Sequence, residues 1–346
     1  MQLAAERARR VGLGLLLALP AALLAEWLRV PLPWMIGPLL VTAACSLAGL
    51  PLAASSTLRN GGLWMIGVAL GLYFTPAVLA TLLQLAPAIA IGVLWALALG
   101  YAFYRWLLRC NGGNRATAFF AAAIGGASEM AILAERHQGQ VDRVAAAHSL
   151  RVVLVVVLIP VAFQSLGIHG SDASLPLVQT VDPQGLALLL ALSAAGMGLL
   201  WLLRTPNPWV LGALFSTLAL TASGVELSAL PREASNAGQL FIGVALGIRF
   251  TPEFARAAPR WLASVALGTL GMIVASAGFA WALSQFTGLH PATLLLSTSP
   301  GGIAEMCITA KVLQLGVPVV TAFHVVRYVA VLTLTAPLYR WEMRRA

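Results

Sequence analysis

Residues 300–306 read PGGIAEM, and residues 124–130 read IGGASEM. Each stretch sets a carboxylate, Glu305 or Glu129, three positions after a glycine pair, inside a strongly apolar part of the chain. Glycine weakens a helix and permits a turn. Each stretch therefore reads as an interruption in a segment that would otherwise be helical. Whether those segments cross a membrane as broken helices or dip in and return decides how the rest of the chain is threaded.

The surroundings are those of a lipid-embedded protein. Of 346 residues, 60% are hydrophobic and 10% are charged, against about 25% charged in a soluble domain. Apolar runs near the ~20 residues that span a bilayer recur throughout, for example at 11–28, 86–104, 152–168, 185–203 and 262–283. No polar stretch is long enough for a DNA-binding or nucleotide-hydrolysing module, and no phosphate-loop motif occurs. The net charge of +9 is read as cytoplasmic loops rather than a nucleic-acid surface. Cys45, Cys110 and Cys307 are widely separated and suggest neither a disulfide framework nor a metal site. Residues 1–25 imitate a signal peptide. However, GLGLLLALPAA (12–22) has a counterpart in GLALLLALSAA (185–195), so this first helix is expected to stay.

The chain is duplicated. NGGLWMIGVALGLYFTP (60–76) and NAGQLFIGVALGIRFTP (236–252) agree at 11 of 17 positions, PWMIGPL (33–39) matches PWVLGAL (208–214), and HSLR (148–151) matches HVVR (324–327). The expected organisation is a first repeat over 1–167, a periplasmic linker over 168–183 and a second repeat over 184–346. Each repeat offers six apolar segments, the fifth being the one that the glycines interrupt. If the fifth segments return as hairpins and the N-terminus is cytoplasmic, the repeats are inverted. Sixteen Lys and Arg then fall inside and three outside; full crossings give eleven against eight. The positive-inside rule selects the first arrangement. The expected fold is an all-α polytopic membrane protein of two inverted repeats, with about ten transmembrane helices and two Gly-Gly-interrupted segments, re-entrant or broken.

Inverted repeats with interrupted helices are a common plan of secondary transporters, whose sites lie where the broken elements meet. The candidate substrate or ion site comprises Gly125, Gly126, Ser128 and Glu129 with Gly301, Gly302 and Glu305. His148 and Arg151, three apart on one helix face, join them, as do His324 and Arg327. Ser297, Thr298 and Ser299 distinguish the second interruption, because AAAI occupies the first. Two readings of the acids stand side by side: each caps its own half-helix, or it takes part in binding. The expected network pairs Glu129 and Glu305 with Arg151 and Arg327, since an intramembrane Arg costs at least ~2.5–3.5 kcal/mol on insertion scales unless partnered. The histidines read either as a proton relay or as satisfied polar groups. Asn60 and Asn236 read as helix caps, and Gly67, Gly71, Gly243 and Gly247 as packing positions.

On PWMIGPL, NAGQLFIGVALGIRFTP, PGGIAEM and HVVR, with their first-half copies, the chain resembles the AbrB family of bacterial membrane proteins over nearly its whole length. Members of that family carry a regulator or "ammonia monooxygenase" label. The layout is also similar to inverted-repeat carriers of the cation antiporter and anion transporter superfamily. The expected function is secondary transport of a small anionic or carboxylated metabolite coupled to H⁺ or Na⁺, in the bacterial inner membrane. The alternative is a membrane sensor that acts through a partner. With no nucleophile–base pair in the sequence, an enzyme is not expected, nor are a cofactor, a metal or a nucleic-acid partner. The expected partners are a small-molecule substrate and the bilayer, with homodimerisation left open.

Overall fold

The computed structural model describes residues 2–170, 176 and 178–345; most of the linker segment 171–177 lies outside them. The chain forms sixteen helices among these residues. Six are long and apolar enough to cross a membrane: α1 (Gln2–Trp27), α5 (Ala86–Asn111), α8 (Val141–Ser165), α9 (Pro183–Leu202), α13 (Pro259–Thr287) and α16 (Val317–Arg345). This is a multi-pass membrane protein. Exposed leucines such as Leu16, Leu23 and Leu24 on α1, and Leu188 and Leu199 on α9, suit contact with lipid rather than water. Four further helices are shorter: α2 (Pro33–Leu47), α3 (Ser56–Gly71), α10 (Pro208–Ala222) and α11 (Arg232–Gly247). Two short connectors, α4 (Pro76–Gln84) and α12 (Pro252–Ala257), have no counterpart in the six-segment reading of each half.

The helices gather into two compact units, and each unit draws on both halves of the sequence. One contains 1–83 and 171–253, the other 84–170 and 254–346. In the first unit α1 packs on α2, α2 on α11, α11 on α3, α3 on α10 and α10 on α9. The third helix of each half thus packs on the second helix of the other half. The four-residue glycine spacings mark these crossings. A Cβ on Gly67 would lie 2.5 Å from the Val210 carbonyl oxygen of α10, and one on Gly243 would lie 2.5 Å from that of Met35 on α2. Small residues let helix backbones approach this closely. Backbone detail recurs as well: the residues preceding α2 and α10, Leu32 and Asn207, are both left-handed, with φ of 49° and 56°. Asn60 and Asn236 fall inside α3 and α11 rather than at their caps. The helices start earlier because Ser55 already accepts from the Leu58 amide at 3.3 Å, and Pro231 precedes Arg232.

The second unit holds α5, α8, α13 and α16 with the two interrupted segments, which form the helix pairs α6 (Arg115–Ala122) with α7 (Ala127–Arg136), and α14 (Pro291–Thr298) with α15 (Ile303–Val312). Both pairs turn back on themselves. At the open end of the first, the Asn114 side chain donates to the Gln138 carbonyl at 2.9 Å, and the Gln140 amide donates to Thr117 Oγ1 at 2.8 Å. The start of α6 therefore touches the residues that follow α7. In the second pair, a Cβ on Gly316, just past α15, would lie 2.7 Å from Thr293 near the start of α14.

Candidate functional site

Each hairpin breaks at the same place. Ala123 and Ser299 leave their helices in extended conformation, with ψ of 134° and 152°. Pro300 enforces this in the second hairpin, since the residue before proline is driven out of the α region. A break of this kind exposes two sets of unsatisfied groups: carbonyls at the end of the first half-helix and amides at the start of the second. In hydrocarbon each such group costs several kcal/mol.

The arginines serve the carbonyls. Arg151 of α8 donates from Nη1 to Ala121 and Ala122, at 3.2 and 3.4 Å, and from Nη2 to Ala123 at 2.9 Å. Arg327 of α16 donates to Ser299 and Gly301, both at 2.6 Å. Both side chains are buried, at 2% and 4% exposure. A cation at a helix C-terminus also gains from the dipole. The expected Arg–Glu network is therefore corrected: among the described residues neither arginine forms an ion pair with Glu129 or Glu305. The helix ends compete for the guanidiniums, and the carbonyls prevail.

The acids lie over the other set of groups. Glu129 and Glu305 occupy the third position of α7 and α15, whose N-caps are Gly126 and Gly302. Each carboxylate folds back so far that a Cβ added to its N-cap glycine would collide with its Oε2. An acid in the first turn of a helix gains from the dipole at that end. Both acids are half-buried, and Glu129 also accepts from the Tyr328 hydroxyl at 3.3 Å. Tyr328 escapes a reading of motifs alone. Its first-half counterpart is Val152, and that mismatch between the repeats is the signal that marks it.

The histidines link helix to hairpin. His148 Nε2 donates to the Phe120 carbonyl at 2.9 Å and its Nδ1 accepts from Arg151 at 2.9 Å; His324 repeats this with Leu296 at 2.8 Å and Arg327 at 2.9 Å. A ring that donates from Nε2 and accepts at Nδ1 is neutral. This geometry orients the arginine and favours the satisfied polar reading over a relay. Ser297, Thr298 and Ser299 are buried and spend their protons on the Thr293, Leu294 and Leu296 carbonyls. Ser128 is exposed at the start of α7. Gly125 and Gly301 sit inside the breaks, where a Cβ would lie 2.9 Å from Val331 and 2.6 Å from Met306.

One charge feature stands out at the two breaks. The charge of Arg327 adds to the electrostatic field at Arg151. Each keeps a buried Nε–H without an acceptor. Of the five donors on a guanidinium, Arg151 commits four and Arg327 three to hydrogen bonds.

Comparison with known proteins follows the same lines. A family model described as "Transition state regulatory protein AbrB" matches residues 34–342. The chain is 26% identical over 332 residues to "Putative regulator AbrB" of Escherichia coli (strain K12), covering 94% of each chain. It is 25% identical over 339 residues to "Uncharacterized protein YhjN" of Bacillus subtilis (strain 168), covering 90% of this chain and 87% of that one.

Proposed function

The chain belongs to the AbrB family, and from that premise we propose that it is a secondary carrier of a small anionic metabolite in the bacterial inner membrane, coupled to H⁺ or Na⁺. The observation that carries this reading is the pair of buried guanidiniums at two re-entrant breaks, each with an unpartnered Nε–H. A buried donor left unsatisfied costs ~1–3 kcal/mol, and an anion reaching both arginines would remove that cost twice. Arg327, with fewer donors committed to backbone, is the main contact of this site. Glu129 and Glu305, held at half-helix N-termini within the same unit, are the groups through which a coupling cation acts. The two repeats run antiparallel: the hairpins take both fifth segments out of the crossing count and leave an odd number per half.

Purified protein in sealed vesicles tests this. Uptake of a labelled carboxylate driven by an imposed H⁺ or Na⁺ gradient, and lost in Arg327→Gln, supports the carrier. A second reading, a membrane sensor acting through a partner, draws on the regulator name of the Escherichia coli relative. Saturable anion binding with no gradient-driven flux would select it.

A further inference from the structure

A cavity in the same unit differs in chemistry from the arginine site. It has a volume of about 370 Å³ and runs from the first hairpin break, at Ala123 and Ile124, along α5 and α16 to Glu342. That volume falls in the range of small-molecule pockets, ~300–1,000 Å³. Its walls are mostly apolar, with Tyr101, Tyr104, Phe119 and Trp341 among them. Glu342 is 7% exposed. Among the described residues no cation forms an ion pair with it; Arg115, which acts electrostatically on neighbouring Tyr104, is itself exposed. The Tyr101 hydroxyl donates to Glu342 Oε2 at 3.2 Å. The Tyr104 hydroxyl, on a side chain 1% exposed, lies beside the same carboxylate.

The duplication isolates this feature. At a constant offset of 176, Tyr101, Tyr104, Phe119, Trp341 and Glu342 correspond to Ala277, Ala280, Leu295, Ser165 and Leu166. The other repeat fills every one of these positions with a small or aliphatic residue, so neither helix formation nor hairpin packing requires the aromatic and acidic set. A carboxylate taken out of water is costly unless hydrogen-bond donors or a cation meet it. Aromatic faces beside it attract a cation, by ~0.5–1 kcal/mol at exposed sites and ~2 kcal/mol when desolvated.

We propose that this cavity binds an organic ammonium ion with an apolar body, its cationic head held by Glu342 and the surrounding aromatic rings, at a site separate from the arginine pair. The ligand chemistry is an alkylated or primary ammonium group; a free amine and an aminophospholipid headgroup both supply it. This inference does not depend on the carrier reading, and either can fail alone.

The test uses the full chain in nanodiscs of phosphatidylglycerol, which contain no ammonium headgroup. Benzyltrimethylammonium, its neutral carbon isostere neopentylbenzene, and benzoate are titrated by calorimetry. The ammonium ion should bind at least tenfold more tightly than either comparator. Glu342→Gln should weaken it at least tenfold, and Trp341→Leu should weaken it severalfold. The comparison of ligands on the unaltered protein keeps the proposal testable even where a variant folds poorly. Nanodiscs containing phosphatidylethanolamine identify the source: competition with the probe assigns a lipid headgroup, and its absence assigns a free cation, both of which uphold an ammonium site. Equal binding of the neutral isostere, or binding indifferent to Glu342→Gln in a protein of unchanged unfolding temperature, would show a slot for acyl chains and overturn the proposal.

Discussion

Gly126 and Gly302 have φ of −67° and −82°, values open to any residue, so their backbone does not demand glycine. What they supply is room for the carboxylate that folds over them. Gly126→Ala and Gly302→Ala should therefore each push the flexible carboxylate end away from its helix N-terminus, and lower stability by at most about 1 kcal/mol, the size of a lost charge–dipole contact. Gly12→Ala, in α1 with nothing within 4 Å of its added carbon, should be neutral or stabilise by up to about 1 kcal/mol. Thermal unfolding in detergent separates the two classes, and equal responses would refute the account. Because each charge serves a different helix end, Glu129 and Arg151 should be only weakly coupled. A double-mutant cycle of Glu129→Gln with Arg151→Gln should return an interaction energy below about 0.5 kcal/mol, where a direct buried pair would give several times that. The sequence shows that Glu129, Arg151 and their second-half copies lie in apolar surroundings and on defined helix faces. It does not show where the broken helices leave their carbonyls, and those carbonyls decide which groups the arginines meet. The Glu342 cavity was hidden for a related reason: its residues are scattered over α5, α6 and α16, and only folding brings them together.

A hairpin holds its shape at both ends, and the two ends use different chemistry. At the break, the arginine bonds the freed carbonyls and the carboxylate lies at the N-terminus of the second half-helix. At the open end, Asn114 accepts from the Thr117 amide at 2.9 Å as the cap of α6 while donating to Gln138 beyond α7. Asn114→Ala removes both contacts, and loss of such a cap typically costs ~1 kcal/mol. Amide exchange should then quicken over 114–140 and stay unchanged in α1 and α9; a uniform change would show that the hairpin is no independent element. The glycine pairs made the interruptions legible in the sequence. Their sense, turning back rather than crossing, rests on contacts between residues more than twenty positions apart, which no local pattern encodes. The split of the helices into two units was likewise unreadable from the repeats. Segments three and nine of the linear count occupy equivalent places in their halves, yet the glycine faces of α3 and α11 seek α10 and α2 in the opposite half.

At the level of the molecule the outstanding quantity is the direction of each half relative to the bilayer. Two arguments converge on the antiparallel arrangement proposed above. The first is the basic residues, sixteen against three, an imbalance the insertion machinery acts upon. The second is parity: a fifth segment that returns to its own side leaves the sixth helix to enter from the side that the fifth left. Cys110, exposed at the end of α5, is a native reporter, with Cys45 partly and Cys307 fully covered. An impermeant maleimide should label Cys110 from the cytoplasmic side only. In a background without native cysteines, Gly113→Cys and Gln138→Cys, at the two feet of the first hairpin, should react from that same side, and Ser171→Cys from the opposite one. Should Gly113→Cys and Gln138→Cys react from opposite sides, the segment crosses, the halves run parallel, and the charge distribution would lose its explanation.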